Sequence, residues 1–234
     1  MEIDSSEIAA LFADLDHPDK PAIRAAVDKL IAHAGDCEPI RQNLAQRLIE
    51  PGHKNYWPVA YILGHFPKPS GSALRALLDA LDHGEPDIRW AIALLLTRIA
   101  KSESAVVPSL IELNDSGTAN QRRMAIYCLR DLALGDPNSL AALVKSLRDL
   151  DPTVRVAAVT SLKSRTDADA MVRQRLIDVY LTDADSRVRH AAAITLASYG
   201  SASEEFITAL KAASATGDPQ TKKAAEAALK MLQK

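Results

Sequence analysis

Apolar and polar positions follow one rhythm through most of this chain. Within stretches of about a dozen residues the apolar side chains recur at i, i+3, i+4 and i+7, as in Leu140, Leu143, Val144 and Leu147, the spacing of an amphipathic helix. Short polar turns containing Asp, Pro or Gly interrupt these stretches. The strict apolar–polar alternation of a half-buried strand does not occur. The fullest turn-and-helix stretch is Asp149–Leu162, and its offsets return near Asp183 and near Asp82. An all-α fold is predicted.

Anchored on the arginine of the Val-Arg pair, the pattern occupies Arg24, Tyr56, Arg89, Arg122, Arg155, Arg189 and Lys222, in steps of 32, 33, 33, 33, 34 and 33 residues. A period of that size is the mark of stacked helical repeats. Three residues before the anchor stand Pro21, Pro86, Pro152 and Pro219, where a first helical turn needs no N–H. Asp151, Asp185 and Asp218 precede that slot as helix N-caps. The anchor therefore opens the second helix of each unit. Positions −1, +3 and +7 from it form an apolar stripe, with Val59, Ile92, Ala158 and Ala192 at +3. A first helix precedes each turn. Neither helix of such a pair buries its stripe alone, and stacking the pairs does. The prediction is a single domain over 1–234, an α–α superhelix (α-solenoid) of about seven helix pairs at roughly 5–34, 37–66, 71–101, 105–134, 138–165, 169–199 and 203–233.

With the acidic turn, the Asp-Pro start and the Val-Arg-x-Ala-Ala-x-x-x-Leu run, clearest at Asp151–Leu162 and Asp185–Leu196, the units resemble HEAT repeats, and most closely the bacterial HEAT-like repeats of the phycobilisome-lyase type. The resemblance covers essentially the whole chain. It implies that the anchor arginines are structural, each reaching an acidic turn of an adjacent repeat. Arg24, Arg89, Arg122, Arg155 and Arg189 would then form a ladder with turn carboxylates such as Asp82, Asp149 and Asp183. It also brings in tetrapyrrole lyase-like chaperoning as a lower-ranked function.

Two units depart from the pattern. The second has Tyr56 at the anchor and Pro58 inside the expected helix, which fits only a late helix start. The fourth, Ser116–Leu129, has no acidic cap and sets Arg123 beside Arg122.

Composition narrows the chemistry. Aromatics make up only 4% of a chain that is 47% hydrophobic, so Ala, Leu, Ile and Val must build closely spaced helices. A net charge of −2 gives no global pull toward nucleic acid. Cys37 and Cys128 lack metal or redox spacing, and the six histidines lack metal spacing on any one helix. The His-Glu dipeptides of iron-binding HEAT hydroxylases are missing. No metal, no cofactor and no catalytic residues are expected. No apolar run approaches the ~20 residues of a membrane span, and a soluble cytoplasmic monomer is the expectation.

The face of the second helix opposite the stripe carries positions +1, +5 and +8, which would line the concave side of a solenoid. Six of these positions across the chain are Lys or Arg and none is Asp or Glu. Both tryptophans, Trp57 and Trp90, share the +1 slot of consecutive units. Trp57, Tyr61, Trp90, Arg123, Tyr127, Arg130, Lys163 and His190 are therefore the candidate binding residues, read as one concave patch with an aromatic centre and a basic flank. Aromatic and Arg side chains are common interface anchors, and a basic groove favours an acidic peptide. The leading expectation is a non-enzymatic scaffold that binds a protein or peptide segment. Nucleic-acid binding through the same aromatic and basic residues is the alternative.

Overall fold

The computed structural model describes residues 5–34, 37–49, 56–132, 136–163, 170–199, 204–217 and 219–232. Every regular element among them is helical. The predicted start of the second unit's second helix, around Gly52, His53 and Asn55, lies outside the described residues, as does the cap residue Asp218. The fold is all-α, of helix pairs of the α-solenoid kind, and its contacts gather into two compact units, 1–108 and 109–234.

The first unit holds α1 (Ser5–Asp14), α2 (Lys20–Ala34), α3 (Glu38–Ile49), α4 (Tyr56–Gly64), α5 (Gly71–Asp79) with a 3-10 turn at Ala80–Asp82, and α6 (Pro86–Ile99). α4 packs on α2, α3, α5 and α6. Its described part runs from Tyr56 to Gly64 and includes Pro58. Gly64 ends α4 where a Cβ would meet Leu95 Cδ2 at 2.9 Å and Leu77 Cδ1 at 3.0 Å, so its lack of a side chain permits the close approach.

The second unit begins within α7 (Val106–Ser116) and continues through α8 (Ala119–Leu132), α9 (Pro137–Lys145), α10 (Pro152–Leu162), α11 (Ala170–Thr182), α12 (Ser186–Ser198), α13 (Glu204–Thr216) and α14 (Pro219–Leu232). Its helix starts are chemically defined. The Asp136 carboxylate accepts from the N–H groups of Asn138 and Ser139, that of Asp151 from Thr153, and that of Asp185 from Arg187. α8, which lacks an acidic cap, uses a reciprocal box instead. The Thr118 N–H donates to Gln121 Oε1 at 2.9 Å, and the Gln121 N–H donates to Thr118 Oγ1 at 3.2 Å.

In this unit α8 packs on α10, α10 on α12 and α12 on α14, whereas among the described residues no comparably close packing joins consecutive first helices. A stack whose second helices lie closer than its first helices bends toward the second helices. They therefore form its inner layer. α10 and α12 are each covered by a second helix on either flank, whereas α8 packs on α10 and α14 on α12. The buried set is accordingly wider than the predicted stripe. On α10 it comprises Val154, Ala157, Ala158, Val159, Ser161 and Leu162, which adds +2, +4 and +6 to −1, +3 and +7.

Candidate interaction surfaces

The anchor arginines bind two turns at once. Arg155 donates from Nη1 to the carbonyls of Asp149 and Leu150 in its own turn, at 2.8 and 3.2 Å. With Nε and Nη2 it holds both carboxylate oxygens of Asp183 in the next turn, at 2.7 and 2.9 Å. Arg122 repeats the fork on Asp149, at 2.7 Å twice, and donates to the Gly117 carbonyl. Each turn carboxylate also accepts the N–H two residues on, Asp149 from Asp151 and Asp183 from Asp185, both at 2.8 Å. The hydrogen bonds to Asp149 and Asp183 raise the guanidinium pKa of Arg122 and Arg155 respectively.

The other anchors engage differently. Arg189 donates to its own turn carbonyls at Asp183 and Ala184 and to the Thr221 hydroxyl. The position matching Asp183 in the following turn is Thr216, which offers no carboxylate. Arg89 is buried and donates to the carbonyls of His83 and Gly84 in its own turn, and Asp82, the acidic residue expected as a ladder partner, is exposed. Arg24 reaches Asp87 in the first turn of α6, two units along, where Lys20 also contacts Glu85 and Asp87. The hydrogen bond from Lys20 is the main cause that holds Asp87 below the ordinary carboxylate range. This three-unit contact was not among the expected pairs, since Asp87 follows the cap rather than standing in the turn.

The buried faces leave each second helix of the second unit a narrow outward strip. On α8 the strip is Arg123, Tyr127 and Arg130; on α10 it is Val156, Thr160 and Lys163. On α12 it is His190 and Ile194, with Ala197 buried; on α14 it is Lys223, Ala227 and Lys230. The +5 row down the middle holds no charge, and the +1 and +8 rows hold five cations and no carboxylate. Thr160, Lys163, His190, Lys223 and Lys230 are exposed. Arg130 lies over the Tyr127 ring at 5.3 Å and pairs with Asp131 at 2.6 Å, while Arg123 donates to Asn120 at 3.2 Å. That hydrogen bond to Asp131 raises the Arg130 pKa.

In the first unit the two tryptophans part company. Trp90 is 42% exposed and adjoins Leu94, one turn on and 64% exposed, so α6 presents an apolar pair. Leu94 occupies the +5 slot but stood outside the candidate set. Trp57 was expected on the same open face and is instead only 9% exposed. It lies on α4, a helix packed by four others, and its ring meets His83 edge-on at 6.1 Å. Tyr61 is half-buried, its ring 4.6 Å from that of His65.

One edge of Trp57 lines a cavity of about 660 Å³ with Ser72, Arg75, Asp79, Asp82 and His83. Burial lowers the His83 pKa and raises that of Asp79. A groove of about 690 Å³ in the second unit runs past the turns, between Asp115, Arg122, Arg148, Leu150 and Arg175. Among the described residues no group of three or more His, Cys, Asp or Glu side chains is placed to hold a metal ion, and no helix is long and apolar enough to cross a membrane.

Residues 140–230 match the family model of HEAT repeats. A search of the curated proteins finds no match. Among solved structures the chain is similar to the X-ray structure of YibA from Escherichia coli, at 15% identity and a TM-score of 0.58, with 99% of this chain and 93% of that chain covered. It is also similar to a designed armadillo repeat protein in complex with the peptide (KR)4, at 19% identity over 97% of this chain and 99% of that one, with a TM-score of 0.43. Human deoxyhypusine hydroxylase in complex with glycerol is similar at 16% identity over 97% and 96%, with a TM-score of 0.39. The likeness to YibA is one of fold.

Proposed function

With residues 140–230 matching HEAT repeats, we propose that the protein is a non-enzymatic scaffold that binds an acidic protein segment on the inner face of its second unit. One observation carries the reading. The outward strip of α8, α10, α12 and α14 bears Arg123, Arg130, Lys163, Lys223 and Lys230 and not one carboxylate, in a chain whose net charge is −2. Charge sorted in this way on a pre-formed face selects partners by electrostatic complementarity. Nucleic acid, the other polyanion, is the weaker fit. Tyr127 is half-buried and Arg130 covers its ring, which removes the stacking platform that single strands use. In the first unit, the exposed pair Trp90 and Leu94 supplies apolar contact of the kind that anchors a protein partner.

The test is fluorescence anisotropy of the full chain with a labelled oligoglutamate, an oligolysine and a single-stranded oligodeoxythymidylate. Tightest binding of the oligoglutamate, abolished by R123E together with K163E, is the expected outcome. Tighter binding of the oligodeoxythymidylate would overturn the reading in favour of nucleic acid.

A further inference from the structure

The inner face also carries a register. Resting on the reading above, we infer that the acidic segment binds as one extended chain laid across α8, α10, α12 and α14, with an acidic side chain at every third position.

The argument begins with widths. On each second helix the +1 and +8 positions lie seven residues apart, roughly 10 Å along the axis. The neutral +5 row of Tyr127, Thr160, Ile194 and Ala227 runs between them. An extended chain along that row sends successive side chains to opposite sides, one toward the +1 row and the next toward the +8 row.

Lengths then fix the phase. Packed helices stand roughly 8–10 Å apart, and an extended chain advances about 3.3 Å per residue. The chain therefore crosses one helix per about three residues. Three is odd, so the side chain arriving at each new helix points to the side opposite the one before. A chain starting toward +1 on α8 would meet +1, +8, +1 and +8 on successive helices.

Those four places are Arg123, Lys163, His190 and Lys230, each a nitrogen-bearing side chain able to donate to a carboxylate. The opposite phase meets Arg130, Val156, Ala197 and Lys223. Val156 is apolar, Ala197 is buried, and Arg130 already pairs with Asp131. One phase thus offers four donors, of which Arg123 also donates to neutral Asn120, and the other offers two, of which Arg130 is paired with a carboxylate. The +5 row asks only for small or apolar contact from the residues between. The bare composition of the strip favours any acidic segment; the alternation favours one spacing.

Two labelled peptides of equal length and composition test the register on the full chain. One carries four glutamates at every third position and the other carries them at every second position. The first should bind about tenfold or more tightly. K163E should then weaken the first peptide, and a peptide with lysine at one of its two inner glutamate positions should restore binding to that variant. Which inner position restores it reports the direction of the segment. Circular dichroism of K163E should match the parent, since Lys163 is exposed. Equal affinity for the two peptides, or restoration by neither swap, overturns the register while leaving the acidic-segment reading in place. Failure of both peptides to bind overturns the register and the reading beneath it.

Discussion

At the residue scale the strongest commitment is Arg155. Its guanidinium satisfies two turn carbonyls and both oxygens of Asp183, whose side chain is only 7% exposed. Breaking such a pair from one side strands the other partner. Arg155→Ala should therefore lower stability by about 1–3 kcal/mol in urea denaturation, without weakening an oligoglutamate, because Arg155 lies off the outward strip. Cys128 gives a second check. It is buried on α8, and burial pushes its thiol pKa up to about 12. A thiol-reactive dye should label only half-buried Cys37 in the native protein and both cysteines in denaturant. Such single positions were unevenly legible in the sequence. Trp57 and Trp90 share a slot, so periodicity gave them one environment. What separates them is the packing of four helices around α4, which periodicity does not encode. The resemblance to HEAT repeats implied anchor arginines reaching acidic turns such as those of Asp149 and Asp183, but not the reach of Arg24 to Asp87, which joins non-consecutive units.

At the element scale, caps and helix lengths decide local stability. Asp185 caps α12 through the Arg187 N–H and also binds the Arg187 guanidinium; that side-chain bond is the larger cause of its pKa falling to about 2. A carboxylate depressed on folding contributes its full stability above the ordinary Asp range and loses it as pH falls through the folded value. The melting-temperature gap between the parent and Asp185→Asn should accordingly be constant near neutral pH and close between about pH 4 and pH 2. Helix α4 is the weak element. Its described part has nine residues and contains Pro58, against eleven in α10 and thirteen in α12, each flanked by second helices on both sides. Amide exchange should be faster over 59–64 than over 154–162 and 188–196; equal protection in the three stretches would contradict this. The helices themselves were plainly written in the 3.6-residue period. The breadth of the buried face was not, because +2, +4 and +6 are buried by neighbours three dozen residues away rather than by anything local.

At the scale of the molecule, charge is divided between the two compact units. Residues 1–108 carry 11 Lys and Arg against 15 Asp and Glu, a net −4, and residues 109–234 carry 17 against 15, a net +2. The steps of 32 to 34 residues run through the division without a break, so the sequence reads as one uninterrupted array; the division is a property of which helices pack, not of the period. The charge split has a kinetic consequence for an acidic partner. The chain as a whole is slightly negative, so attraction must come from the inner face of the second unit within about one Debye length, some 8–10 Å at physiological salt. Association of an oligoglutamate should slow markedly as salt rises, while dissociation changes less. R123E with K163E should slow association at low salt and flatten its salt dependence, because the local field that steers the partner has been removed. R24E, at an exposed cation of the first unit that already pairs with Asp87, should leave both rates near the parent values. Stopped-flow anisotropy over a salt series separates these cases, and a parent association rate indifferent to salt would show that the inner face does not steer its partner by charge.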